Sequence, residues 1–370
     1  MTTSSPGATT RPTPTGPATP DVTSASASAS ASTYASLAPL TAGDLASNVT
    51  AFYYPWYGTP AGDGKWIHWN QLQHSPPDNI ASSFYPVRGP YSSADPATIA
   101  DQMNELRAAR VGVISVSWWG QDSIEDKLLP QLFPFAAAAG IKIAFHLEPY
   151  QGQTAASMAA DIHYLLGNWG SSPALYRVSR ATASDARSSP RPVFYVFAAS
   201  RFVSADLKTA IAGLRGTPDD AIVMIHSPKA VSATRVGADG VYTYDATADP
   251  AALAGLVADC KTAKIICSPS VAPGFDNRQA VATGQQVVER QNGDRYDAMW
   301  QAALGAGAEW VSVTTFNEWH EGTQIEPARA FTTEARSYVD FGGAYGKTGI
   351  AAQTAYLERT AYWVGKMAGN

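Results

Sequence analysis

From about Val49 onward, eight short apolar runs, most of them β-branched or aromatic, alternate with longer amphipathic stretches. This alternation constrains the fold more than any other feature, because a strand apolar on both faces has to be covered on both. The runs expected as strands are Ala51–Tyr57, Val111–Trp118, Ile141–Leu147, Pro192–Phe197, Ala221–His226, Gly240–Tyr244, Lys264–Ser268 and Glu309–Thr315. Helical stripes fall between them. Ile99, Met103 and Leu106 follow the cap candidate Asp95 and Pro96; Leu253, Leu256, Val257 and Cys260 follow Asp249-Pro250; Tyr296, Trp300 and Leu304 form a third stripe. Gly349 to Met367 reads as a last helix. Eight βα repeats over about 320 residues have the size of a single-domain α/β (β/α)8 TIM barrel with modest insertions. The rival, a doubly wound open sheet, would carry a Gly-rich turn after the first strand. Here that turn is Pro-Trp-Tyr-Gly-Thr-Pro.

Ahead of the pattern, Met1 to about Asn48 is almost entirely Ser, Thr, Ala, Pro and Gly, including a Ser-Ala-Ser-Ala-Ser-Ala repeat. So little large apolar surface does not offset the entropy of ordering the chain. Residues 1–48 are therefore expected to be a disordered leader, and 49–370 the barrel domain. The leader lacks the basic start and apolar core of a signal peptide. The formal charge of −5 is spread without runs, so neither nucleic acid nor an anionic membrane is an expected partner. No apolar run approaches the ~20 residues needed to cross a bilayer. The two cysteines, Cys260 and Cys267, offer no zinc spacing and are expected as buried thiols rather than a disulfide. A monomer is expected.

Barrel enzymes place their chemistry at the carboxyl ends of the strands. Those ends read Tyr53-Tyr54-Pro55-Trp56-Tyr57-Gly58, followed by a loop with Lys65, His68 and Trp69; Ser117-Trp118-Trp119-Gly120; His146-Leu147-Glu148-Pro149-Tyr150; Tyr242-Thr243-Tyr244-Asp245; and Thr315-Phe316-Asn317-Glu318-Trp319-His320-Glu321-Gly322. Carboxylates, aromatics and amides thus gather on one rim, as they do where sugars bind. Glycoside cleavage needs two carboxyl groups, and many retaining barrel enzymes carry them on strands 4 and 7. Neither of those strands ends in a carboxylate here. The acidic candidates are Glu148 and the close pair Glu318 and Glu321, whose like charges would push their pKa values apart and yield one acid and one base.

The stretch Phe316-Asn317-Glu318-Trp319-His320-Glu321-Gly322-Thr323-Gln324-Ile325-Glu326 resembles the signature of glycoside hydrolase family 99, the endo-α-mannosidases and endo-α-mannanases. So do Phe52-Tyr53-Tyr54-Pro55-Trp56-Tyr57-Gly58, Ile67-His68-Trp69-Asn70, Pro76-Pro77-Asp78, Ser82-Ser83-Phe84-Tyr85-Pro86, His146-Leu147-Glu148-Pro149-Tyr150 and Tyr242-Thr243-Tyr244, in order over most of the chain. The resemblance implies a retaining, endo-acting hydrolase of internal α-mannosidic bonds that needs no metal or other cofactor. In such enzymes a glutamate draws the proton from the sugar's own 2-hydroxyl and a 1,2-anhydro intermediate forms. On matching positions Glu318 would be that base. Glu321 would be the acid that protonates the leaving oxygen and later activates water. Tyr54, Glu148 and Tyr244 would hold the flanking sugars. Lys65, His68, Trp118, Trp119, His146, Tyr150 and Asn317 are the further candidates for substrate contact. Animal members carry Tyr after the strand-2 Trp; the pair Trp118-Trp119 looks like the bacterial form, which favours α-mannan over glucosylated glycans. The expected partner is therefore α-mannan or a mannose-rich oligosaccharide. The leader resembles those of exported polysaccharide hydrolases, so an extracellular location is expected.

Two other readings stay open. His146, Glu148, His320 and Glu321 could ligate a divalent metal in a metal-dependent hydrolase, although strand 1 has no His-Xaa-His and no His-Glu-Xaa-Xaa-His occurs. A non-catalytic carbohydrate-binding barrel is the other, and it would predict loss of one carboxylate. His226 is expected to be an ordinary core or rim histidine.

Overall fold

The fold is taken from a computed structural model that describes residues 44–179, 190–334 and 336–369. The first strand, β1, spans Ala46–Tyr53, five residues earlier than expected. Ala46-Ser47-Asn48 has the polar, small-residue look of the leader but belongs to the sheet. Ala46 pairs with Val111 beside Gly112, where an added Cβ would lie 2.4 Å from the Ala46 carbonyl oxygen. The Asn48 amide donates to the Glu309 carbonyl at 2.8 Å. The strand stops at Tyr53, short of Pro55, which has no N–H to give to a ladder. The rest of the expected leader, residues 1–43, lies outside the described residues.

The strands that follow are β2 (Val111–Trp118), β3 (Lys142–Leu147), β4 (Arg191–Val196), β5 (Ile222–His226), β6 (Gly240–Tyr242), β7 (Ile266–Ser268) and β8 (Val311–Val313). Each pairs in parallel with the next from β1 to β7, and β8 pairs with β1. The ring closes at β7 in two halves. Ile266–Ser268 lies on β6, and the continuation Ser270–Val271 lies on β8. Pro269 stands between the halves, and its carbonyl accepts from the Ser312 amide at 3.0 Å. The result is a (β/α)8 barrel.

Helices α1 (Pro96–Ala108), α2 (Ile124–Ala139), α3 (Ala155–Trp169), α4 (Ser204–Leu214), α5 (Ala230–Val236), α6 (Ala251–Ala263), α7 (Asp294–Gly305) and α8 (Ala355–Met367) alternate with the strands. Asp95 caps α1 by accepting from the amides of Ala97 and Thr98, and Ile99, Met103 and Leu106 are buried. The α6 stripe is buried as spaced, whereas in α7 Met299 and Ala303 join Tyr296 and Trp300 while Leu304 stays half-buried. The last helix is shorter than expected, because Gly349–Ala352 forms a separate 3-10 turn. Both cysteines are free thiols, Cys260 buried and Cys267 half-buried. Among the described residues no helix is long and apolar enough to cross a membrane.

Contacts between non-neighbouring strands can only cross the barrel's interior. Phe52 of β1 meets His146, Tyr195 and Tyr242, and the His146 ring bonds the Tyr242 hydroxyl at 2.7 Å. The interior is therefore packed with aromatic rings, and the site opens above them.

Candidate active site

After β8 the chain runs out over residues 315–326 and returns onto itself. The Thr315 amide donates to the Thr323 carbonyl, the Ile325 amide to the Thr315 carbonyl, and the Glu326 amide to the Phe316 carbonyl, all within 3.0 Å. The hydroxyls of Thr315 and Thr323 add a fourth rung at 2.9 Å. A loop stapled at its neck in this way holds Glu318 and Glu321 at a fixed separation.

Glu318 is 3% exposed. Its own amide donates to the Thr315 hydroxyl at 2.8 Å, and its carboxylate accepts the His320 amide at 3.0 Å. His320 Nε2 lies 2.9 Å from the His68 carbonyl, which can only accept, so Nε2 carries the proton and Nδ1 does not. Burial, aided by His68, lowers the His320 pKa to about 3, and the neutral ring presents Nδ1 3.6 Å from Glu318. Glu321 is the less enclosed of the two glutamates and faces Tyr244, whose hydroxyl donates to it at 3.3 Å. Because that proton points to Glu321, the 2.5 Å contact between the Tyr244 and Tyr54 hydroxyls is donated by Tyr54. Burial keeps both phenols far above their ordinary pKa, so they stay donors at any working pH.

Burial also raises the pKa of both glutamates. Glu318 stands well above the carboxylate range because it is buried and because Glu321 is near. Burial, with Glu148 and Asp245 adding, lifts Glu321 to about 7. The charge of Glu321 is one cause of the Glu318 rise, so ionisation of both carboxyls together is disfavoured.

Glu148, at the end of β3, is buried and accepts from the Ser117 hydroxyl at 3.0 Å, with His146 Nδ1 2.8 Å away. Trp119 donates its indole N–H to the same Ser117 oxygen at 3.0 Å. With its N–H so committed, Trp119 shows an apolar face, and it stacks at 6.2 Å on Trp56. Trp56 also stacks on His68 at 4.3 Å and meets Tyr54 at 4.8 Å. An aromatic cluster thus adjoins the acids, with Trp56 also meeting His320 at 5.9 Å.

The structure brings Tyr54, His68, Trp119, Glu148, Tyr244, Glu318 and Glu321 together and gives other candidates different work. Asn317 is completely buried; its amide is consumed by the backbone N–H and C=O of Tyr54 at 2.7 and 3.0 Å, strapping β8 to β1. Trp118 is completely buried on the opposite face of β2 from Ser117 and donates to Asp126 of α2 at 2.8 Å. His146 is inside the barrel beneath Glu148. Asn317, Trp118 and His146 are therefore not surfaces for a sugar. Tyr150 donates its hydroxyl to Asp161 of α3 at 2.7 Å and stays half-buried on the rim. Lys65 is exposed on the loop after the short helix Pro60–Asp63. His226 stacks on Phe197, and burial lowers its pKa to about 4.

Trp56 and Ser117 were not singled out from the sequence, although the period of two along β2 marks Ser117 as inward once Trp118 is outward. Glu326 was passed over too. It is 1% exposed, and its carboxylate accepts from Tyr91, Trp319 and Gln102 at 2.8 to 2.9 Å, with Arg88 at 3.3 Å. It pins Trp319, the residue after Glu318. Among the described residues no three His, Cys, Asp or Glu side chains converge in a way that could hold a metal ion. The four residues of the metal reading are divided between the Glu148 and Glu318 groups.

Comparison with known proteins agrees with this geometry. The sequence model described as glycosyl hydrolase family 99 matches residues 44–369. The chain is 34% identical to a mouse glycoprotein endo-alpha-1,2-mannosidase over 350 residues, covering 85% of this chain and 73% of the relative. A Xenopus laevis protein of the same name is 35% identical over 329 residues, covering 78% and 72%. The solved GH99 endo-alpha-mannosidase of Bacteroides thetaiotaomicron superposes with a TM-score of 0.78 at 33% identity, covering 88% of this chain and 98% of that one.

Proposed function

The chain belongs to glycosyl hydrolase family 99, and from that premise we propose that it is a retaining endo-α-1,2-mannosidase acting on α-mannan or mannose-rich glycans. The observation that carries this reading is the pair of glutamates on one stapled loop, both raised by burial, beside an aromatic cluster. Glu321, raised to about 7, is poised to give a proton to the leaving glycosidic oxygen near neutral pH. Tyr244 orients that carboxyl. Glu318, in its ionised form, is the base, strengthened by its burial and aimed by the His320 amide.

In the proposed first step Glu318 takes the proton of the 2-hydroxyl, O2 attacks C1, and the glycosidic oxygen leaves with the proton from Glu321. The product is a 1,2-anhydro sugar. In the second step Glu321, now ionised, takes a proton from water as the water attacks C1. The C1–O2 bond breaks, and Glu318 returns its proton to O2. Two displacements at C1 give retention, and both glutamates end as they began.

The committed N–H of Trp119 favours a mannose-only subsite. Its apolar face suits the CH surface of a sugar ring and offers no donor to a glucosyl cap. The test is to incubate the protein with branched fungal α-mannan and follow the products by mass and by anomeric NMR. Oligosaccharides released first as the α-anomer are expected. Release of mannose alone, or a β-anomer first, would overturn the reading.

A further inference from the structure

Between β7 and α7 lies a hairpin, Phe275–Asp276 paired antiparallel with Val287–Val288, and Arg290 follows it. Arg290 is buried, and its Nη2 donates to two carbonyls of the glutamate loop, Gly322 at 2.9 Å and Gln324 at 2.8 Å. From the same hairpin the Asp276 amide donates to the Glu321 carbonyl at 2.6 Å. Gly322, at φ 61°, lets that contact form, since a Cβ there would stand 3.0 to 3.1 Å from Asp276. Gly274 makes room for the hairpin and the arginine together: a Cβ there would lie 2.7 Å from both the Val288 carbonyl oxygen and Arg290 Cγ.

The arginine's surroundings are unusual for a cation. Its guanidinium carbon sits 4.6 Å from the ring centroids of Phe84, Phe341 and Tyr356. Among the described residues no carboxylate pairs with it; the Tyr356 hydroxyl is its side-chain partner, and the three ring faces enclose it. The three ring faces and the two carbonyls together offset the cost of burying the charge. Of these contacts, the two carbonyls are the ones that tie the arginine to the glutamate loop.

We propose that Arg290 is a positioning residue for Glu321, fixing the main chain just past that glutamate and so setting where its carboxyl meets the leaving oxygen. This rests on the reaction proposed above. Glu318 is held separately by Thr315 and by the His320 amide, so loss of Arg290 acts on the acid and spares the base.

The test compares wild type with Arg290→Met and, should that variant fail to fold, with Arg290→Lys, which keeps the charge but not the guanidinium nitrogen that bonds both carbonyls. On α-mannan, kcat should fall roughly 10- to 100-fold with KM within about threefold, the scale of a displaced catalytic group. Fluoride release from an α-mannobiosyl fluoride, which departs without an acid, should stay within about threefold of wild type. A 13C titration of the glutamate carboxyls, which needs no turnover, should show the Glu321 midpoint moved, and the Glu318 midpoint moved less, following only through the charge of Glu321. Equal losses on both substrates with an unmoved Glu321 midpoint would overturn the proposal and leave Arg290 a structural residue. A wild type inactive on both substrates would sink the reaction scheme instead, and the titration would then decide the positioning role alone.

Discussion

Replacing Glu321 by Gln should make the protein more stable at neutral pH while disabling it. In the unfolded chain this carboxyl titrates near 4.5, and in the folded site it titrates near 7. Between those values the unfolded chain has released a proton that the folded protein still holds, so stability falls as pH rises and levels off above pH 7. The raised pKa corresponds to about 3 kcal/mol of destabilisation, an upper figure because Glu321 is not fully enclosed. Gln keeps the shape and accepts from Tyr244 without ever bearing charge. At roughly 2 °C per kcal/mol for a chain of this size, Glu321→Gln should melt about 4–6 °C above wild type at pH 8. The difference should shrink through pH 6 and vanish near pH 4, where both side chains are neutral. Thermal unfolding at half-unit pH steps measures it directly. A variant that is less stable at pH 8, or a gain that does not depend on pH, would refute the claim that burial and like charge govern this site.

Four further outcomes are expected. Glu321→Gln should lose about 10²–10⁴-fold on α-mannan yet keep first-step release from an α-mannosyl fluoride, whereas Glu318→Gln should lose both, because the 2-hydroxyl needs its base whatever leaves. Tyr244→Phe removes a donor that holds the Glu321 pKa down, so the alkaline limb of kcat/KM should move up by roughly half a pH unit to one; an unmoved limb would remove Glu321 as the acid. Trp119→Tyr should cost about 1 kcal/mol of stacking and raise the kcat/KM ratio of glucose-capped over uncapped substrates; an unchanged ratio removes Trp119 from specificity. Deleting residues 1–43 should leave the melting temperature unchanged, whereas deleting 1–48 removes the Ala46 and Asn48 hydrogen bonds of β1 and should lower it by several degrees.

Much of the fold was legible because the strands are apolar on both faces and the helices carry capped stripes. The β2 boundaries agree at both ends, Val111 and Trp118. What hid was the start of β1, since Ala46-Ser47-Asn48 has no apolar signature and owes its place to the bare backbone of Gly112 opposite. In the site, residue type was readable but direction was not. Trp118, His146 and Asn317 are the kinds of residue that bind sugars, and all three are buried in other work. Only pairing register separates Trp118 from Ser117, and only the three-dimensional path of the chain brings the Tyr54 backbone to Asn317.

That misreading has a common physical cause. Two carboxyls on one short loop, three residues apart, can divide the labour of acid and base only if the loop does not flex. Placing them on separate strands would let the barrel itself fix their separation; here buried polar side chains do so. Asn317 ties the loop to β1, Glu326 ties Trp319 to Tyr91 and Gln102, and Tyr57 donates its hydroxyl to the Asn317 carbonyl while accepting the Trp319 amide. Each of these groups is desolvated and satisfied, and a half-satisfied network would cost more than an apolar core. Polar residues around this motif therefore include several whose side chains are spent on holding the loop. Glu318 and Glu321 differ in how firmly they are held. Glu318, the proposed base, is gripped on both its amide and its carboxylate, and the more open Glu321, the proposed acid, keeps a single side-chain contact, the Tyr244 hydroxyl at 3.3 Å, which leaves its carboxyl free to turn.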